Sequence, residues 1–203
     1  MPRLLKPALL LTAACLLLPA CSQTKVPQDL ADSLRSVQSD LNGVRASIVS
    51  TTNALKDVRD NRGSNIQPQF VVFTDNLATL ESKVGGTQVS RDITVDKINA
   101  FFQKWDQQIN QIQDQDVARS ARERQKEIQA SFANLKDKVQ ALKNAYRPYY
   151  SSCVDVRTTL GSDMTPQGAT IARPAMNAAI DQSSAVLSKL DDVNKTINNM
   201  TSP

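Results

Sequence analysis

Histidine is absent from all 203 residues. That excludes imidazole acid–base catalysis, Ser–His and Cys–His nucleophile pairs, and imidazole metal sites. Aromatic residues are only 4% of the chain, and there are six glycines and three cysteines. This is thin material for a broad globular core, but it suits long helices packed along narrow apolar seams. Strand signals are missing as well: no stretch alternates apolar and polar residues, and the β-branched residues are not clustered. Charge of one sign is not in large excess. Lys and Arg number 24 against 20 Asp and Glu, a net charge of +4 with pI near 9.0. So mild a balance names no nucleic-acid partner, and neither a binding motif nor interleaved basic and aromatic residues supply one.

What is present begins with an address. Arg3 and Lys6 give a positive start, and Ala8 to Leu18 is an apolar stretch (ALLLTAACLLL). At about 11 residues it is too short for the ~20 of a spanning helix. A positive segment, a short apolar segment and a small residue before a cut make a secretory signal peptide over 1–20. Leu18-Pro19-Ala20-Cys21 resembles the bacterial lipobox. That resemblance implies cleavage before Cys21, lipid on its sulfur and acylation of the new amino terminus. Ser22 rather than Asp after the cysteine points to the outer membrane, facing the periplasm. Residues 21–28, polar and containing Pro27, read as a tether, and 29–203 as the folded domain. Cys15 leaves with the leader and Cys21 is modified, so Cys153 stands alone and no internal disulfide forms.

Beyond the tether a heptad beat dominates. Leu30, Leu34, Val37, Leu41, Val44, Ile48, Thr51, Leu55 and Val58 follow each other at spacings of four and three, the stripe of an underwound helix. Asp60-Asn61-Arg62-Gly63 stops it, giving a helix over about 29–62. A second segment, 67–84, carries Phe70, Phe73, Leu77, Leu80 and Val84, and Gly85-Gly86 is expected to break it. A third, entered near Asp92 or Thr94, carries Ile93, Ile98, Phe101, Phe102, Trp105, Ile109 and Ile112. The fourth is the longest: Ile128, Phe132, Leu135, Val139, Leu142, Tyr146, Tyr149, Cys153, Val156 and Leu160. Pro148 lies inside it, and the unbroken phase beyond predicts a kink near Arg147 rather than an end. Residues 161–168 read as a loop, and 174–198 as the last helix, with Met176, Ile180, Leu187, Leu190, Val193 and Ile197 inward. Short turns between long amphipathic helices predict an all-α fold, an antiparallel bundle after the leader.

The chemistry-bearing residues are sparse. Phe101, Phe102, Trp105, Tyr146, Tyr149 and Tyr150 hold six of the nine aromatics, mostly on seam positions, where core packing is the simpler role than a ligand platform. Cys153, also on a seam, reads as a small buried hydrophobe. No Gly-rich phosphate loop, paired-carboxylate motif or metal-ligand spacing occurs, so no enzyme, cofactor or metal site is expected. Asn194-Lys-Thr and Asn199-Met-Thr match a glycosylation pattern, a chance match under a bacterial address. Between 119 and 147 Arg119, Arg122, Arg124, Lys126, Lys136, Lys138, Lys143 and Arg147 stand against Glu123, Glu127 and Asp137. From this group Arg119, Arg122, Lys126, Lys136, Lys143 and Arg147 are the candidate contacts for an anionic envelope ligand: a glycan, a lipid head group or an acidic partner. The alternative is a solvated face balanced by neighbouring helices.

Phe101-Phe-Gln-Lys-Trp-Asp106, Ser120 with Arg124, Tyr146-Arg-Pro148 and Asp155-Val-Arg-Thr-Thr-Leu160 resemble, in order and spacing, the bacterial envelope proteins grouped as domain of unknown function 2959. The resemblance spans about 30–195. It departs after Asp155, where Thr159-Leu-Gly-Ser-Asp163 carries no histidine. It implies a lipobox-bearing, coiled-coil-rich helical protein and lends no activity. The reading is a lipid-anchored, non-enzymatic scaffold or interaction module. Its partners are the membrane through Cys21 and another protein, or a second copy, through the helical seams.

Overall fold

The computed structural model describes residues 26–61, 63 and 65–202, so the leader, Cys15 and Cys21 lie outside the described residues. Four helices follow one another: α1 (Gln28–Asp60), α2 (Gln67–Ile109), α3 (Gln115–Ser162) and α4 (Pro166–Thr201). The described residues contain no strand. The all-α antiparallel bundle expected from the heptad beat is the observed architecture. The helices form a ring in which α1 packs on α2 and α4, and α3 on α4. The fourth side, α2 against α3, is closed less tightly by backbone approach and is bridged by long side chains.

Helix boundaries follow from local chemistry. Asn61 ends α1 and knits the first turn: its amide donates to the Asn65 carbonyl at 3.0 Å and to Gln69 Oε1 at 2.8 Å, while Gly63 N–H donates to its Oδ1. The Asp114 carboxylate caps α3, accepting from the Asp116 and Val117 amides. Thr165 caps α4 with its hydroxyl, and Pro166 occupies the first turn, where its missing N–H costs nothing. The turn before α4 is therefore only 163–165 rather than 161–168, and α4 starts at Pro166 rather than Pro174. Pro174 falls two turns inside the helix and is exposed.

Further expectations need correction. Gly85-Gly86 does not break the chain, because α2 runs continuously from Gln67 to Ile109. Each glycine costs about 1 kcal/mol relative to alanine in a helix. The neighbouring turns bury Leu77, Leu80 and Thr94 against the bundle, which outweighs that cost. Two segments merge into one with the seam in phase throughout: from Leu77, Leu80 and Val84 the same spacing of three and four leads through Thr94, Ile98, Phe101 and Trp105. Thr94 is therefore buried, while Ile93 is 54% exposed and is not a seam residue. In α4, Val186 is fully buried and Leu187 only half-buried. At Pro148 the expectation that the helix continues holds, since α3 passes through without interruption.

The core is graded along the bundle axis. Near the 61–66 and 163–165 turns, Leu55, Phe73, Leu77, Tyr149, Cys153, Val156, Leu160 and Met176 are all essentially inaccessible. Toward the other end the α2–α3 seam opens, and Val84, Phe102, Trp105, Phe132, Val139 and Tyr146 are half-buried. Val26, ahead of α1, is already buried in the core. α3 also outruns its neighbour. Ser152 Oγ donates to Gln182 Oε1 at 3.3 Å. Counting along two antiparallel helices from there sets Thr201 level with roughly residue 133. The start of α3 therefore extends past the end of α4 as a hairpin with α2, joined by Gln125 Nε2 to Asp106 Oδ1 at 2.7 Å and by Phe102 edge-on to Phe132.

Candidate functional site: the basic flank of α3

All six candidate cations fall on α3, and each is exposed. Because α3 is one uninterrupted helix, its heptad frame can be followed from end to end. Arg119, Lys126 and Arg147 share one column with Ala133 and Gln140; Arg122, Lys136 and Lys143 share the adjacent column with Gln129. Nine successive positions, alternately three and four residues apart, thus hold six cations and no carboxylate. The stripe spans about 42 Å at 1.5 Å per residue.

Ion pairing separates these residues from the other cations of the segment. Arg119 NH2 lies 3.2 Å from Asp116 Oδ1, an exposed pair of little energetic weight. Arg122, Lys126, Lys136, Lys143 and Arg147 take part in no ion pair among the described residues. Arg124, off the stripe, instead bridges Glu127 at 3.0 Å. Lys138 sits half-buried on the opposite side of the seam. The balancing of the stripe by neighbouring helices is therefore not achieved by direct contact. Its N-terminal end opens into a surface groove of about 510 Å³ lined by Ile112, Gln115, Ala118, Arg119, Arg122 and Lys126, with the Glu123 carboxylate also in its wall.

Phe102, Trp105, Phe132, Tyr146 and Tyr150 serve the α2–α3 seam, whereas Phe101 borders a groove with Leu30 and Ser33 of α1 and Tyr149 reaches α1. Phe102 stacks on Trp105 at 6.3 Å and meets Phe132 at 5.9 Å; Tyr146 stacks on Tyr150 at 5.7 Å. These rings fill the space left by the wider helix separation. Below them lies a polar centre that the sequence does not announce. Glu81 Oε1 accepts from Tyr150 Oη at 2.7 Å and from Arg157 at 3.0 Å. Glu81 stands 69 and 76 positions from Tyr150 and Arg157, so no local pattern signals that they meet.

Cys153 is fully buried, and burial pushes its thiol from 9.0 up to about 12. It stays a neutral thiol at neutral pH, without the thiolate a nucleophile needs. Burial likewise raises Tyr146 and Tyr149 far above the ordinary phenol range. Among the described residues no cluster of three or more Cys, Asp or Glu side chains is disposed to hold a metal. None of the described helices is long and apolar enough to cross a membrane. No protein-family model, curated protein or solved structure matches this chain.

Proposed function

We propose that this chain is a lipid-anchored protein of the bacterial envelope, facing the periplasm from the outer membrane, whose helical bundle is a non-enzymatic scaffold or interaction module. The observation that carries the reading is the order of parts. A short charged-then-apolar leader ends in Leu18-Pro19-Ala20-Cys21, and the bundle core begins five residues later at Val26. A chain fixed at Cys21 holds the bundle close to the bilayer by its Val26 end. Among the described residues no helix is long and apolar enough to cross a membrane. The non-enzymatic part is supported by the inert environment of Cys153 and the absence of histidine.

A second reading, binding of an anionic envelope ligand, is favoured by one feature: five exposed cations of α3 without acidic partners.

Mass spectrometry of the protein purified from bacterial membranes tests the main reading. The expected amino-terminal peptide starts at Cys21 and carries diacylglyceryl and acyl groups. A chain that starts elsewhere, or an unmodified Cys21, contradicts it.

A further inference from the structure

We infer that the flank of α3 from Arg119 to Arg147 is a track for an extended anionic polysaccharide, a glycan bearing a carboxylate or phosphate on its repeat. The inference rests on the second reading above and names its ligand. The cationic stripe is two heptad columns wide and about 42 Å long. It is bordered by negative charge. The next α3 column carries Asp116, Glu123 and Asp137, all exposed. Across the seam, Asp92 falls on the same α2 column as Asp106, which already reaches Gln125 on α3. A flat anionic bilayer laid on this side would press on those carboxylates as well as on the cations, and like charges there cost affinity. A narrow chain lying along the stripe meets its cations and borders a carboxylate only toward the N-terminal end, where Glu123 lines the groove and Asp116 pairs with Arg119.

An acidic helix from another protein fits less well. Protein interfaces are held by buried aromatic and aliphatic anchors. The stripe offers only Ala133 among its nine positions. What it does offer is flexible ammonium and guanidinium groups at successive rises, suited to repeated phosphate or carboxylate groups on a hydrated polymer. Arg122 and Arg147 near its two ends supply bidentate geometry, and Lys126, Lys136 and Lys143 point charges between them.

The test uses the whole folded domain with polygalacturonate fractions of increasing length, phosphatidylglycerol vesicles and poly-glutamate as probes. Binding to polygalacturonate should strengthen at least tenfold from short oligomers to chains long enough to span the stripe, and weaken at high salt. Lys136→Glu, Lys143→Glu and Arg147→Glu combined should reduce it on the order of tenfold or more with an unchanged helical spectrum. The matched change Lys104→Glu, Arg173→Glu and Lys195→Glu, exposed positions off the stripe, should leave it within about twofold. Length-independent binding, preference for vesicles or poly-glutamate, or equal losses in both triple variants overturns the track while leaving a general basic face standing. Failure to bind any of the three probes at low salt overturns both readings.

Discussion

Tyr149 Oη lies 3.2 Å from Thr52 Oγ1 and donates toward the Ile48 carbonyl at 3.4 Å, joining α3 to α1 across the diagonal of the bundle. These two helices do not adjoin in the ring, so the tyrosine spans the core where it is tightest. Its side chain is wholly inaccessible, and Thr52 is buried beside it. Tyr149→Phe keeps the ring and removes the hydroxyl, leaving a buried Thr52 oxygen without this partner. The expected cost is about 1 kcal/mol, read as a lower urea midpoint at unchanged slope. No change in the midpoint would show that the contact across the diagonal carries no net stabilisation.

Alkaline pH should unfold the domain earlier than a bundle without buried acids. In the unfolded chain the Cys153 thiol ionises near 9.0, whereas the folded chain holds its proton to about 12. Between these values the unfolded state binds fewer protons, so stability is complete below about pH 9 and falls as pH rises toward 12. Buried Tyr146 and Tyr149 act in the same direction. Urea midpoints measured from neutral pH upward should be level and then decline. Cys153→Ala should flatten the first part of the decline. Native Cys153 should also resist a thiol reagent at about pH 8 until urea unfolds the chain. Rapid labelling of the folded protein would contradict its burial.

The glycines make opposite predictions. A methyl group at Gly85 or Gly86 would meet nothing, whereas one at Gly168 would collide with the Asp163 carbonyl. Gly85→Ala and Gly86→Ala should each stabilise the domain by up to about 1 kcal/mol through helix propensity. Gly168→Ala should destabilise it, because the Asp163–Thr165 cap must shift to make room. Thermal melts of the three variants decide this. A loss at Gly85 would mean that the middle of α2 needs a flexible point.

How much of this was legible in the sequence differs by element. The stripe from Leu30 to Val58 gave α1 almost to the residue, because one unbroken heptad phase fixes both period and face. α2 was less legible. Gly85-Gly86 is a strong local stop, but propensity is weak beside the burial that a 43-residue helix gains on either side. The start of α4 was readable in principle, since Thr165-Pro166 is a cap followed by a first-turn proline. The candidate cations were legible as residues. That all but Arg119 are free of ion pairs, and which carboxylates stand beside them, depends on helix continuity and on the α2–α3 register. The Glu81–Tyr150–Arg157 centre is purely tertiary and has no counterpart in local pattern.

Cys21 is the residue on which membrane attachment depends in the proposed reading. One acyl chain binds a bilayer only marginally, at about 0.8 kcal/mol per buried methylene, and stable attachment takes two or more. Detergent-phase partitioning of the full-length protein expressed in bacteria, compared with Cys21→Ser, measures this dependence directly. Wild-type protein should enter the detergent phase and incorporate a clickable palmitate analogue. Cys21→Ser should lose both while its helical spectrum stays the same. A Cys21→Ser protein that still sediments with membranes after a high-salt wash would show that another surface holds it there, and would contradict the lipid anchor.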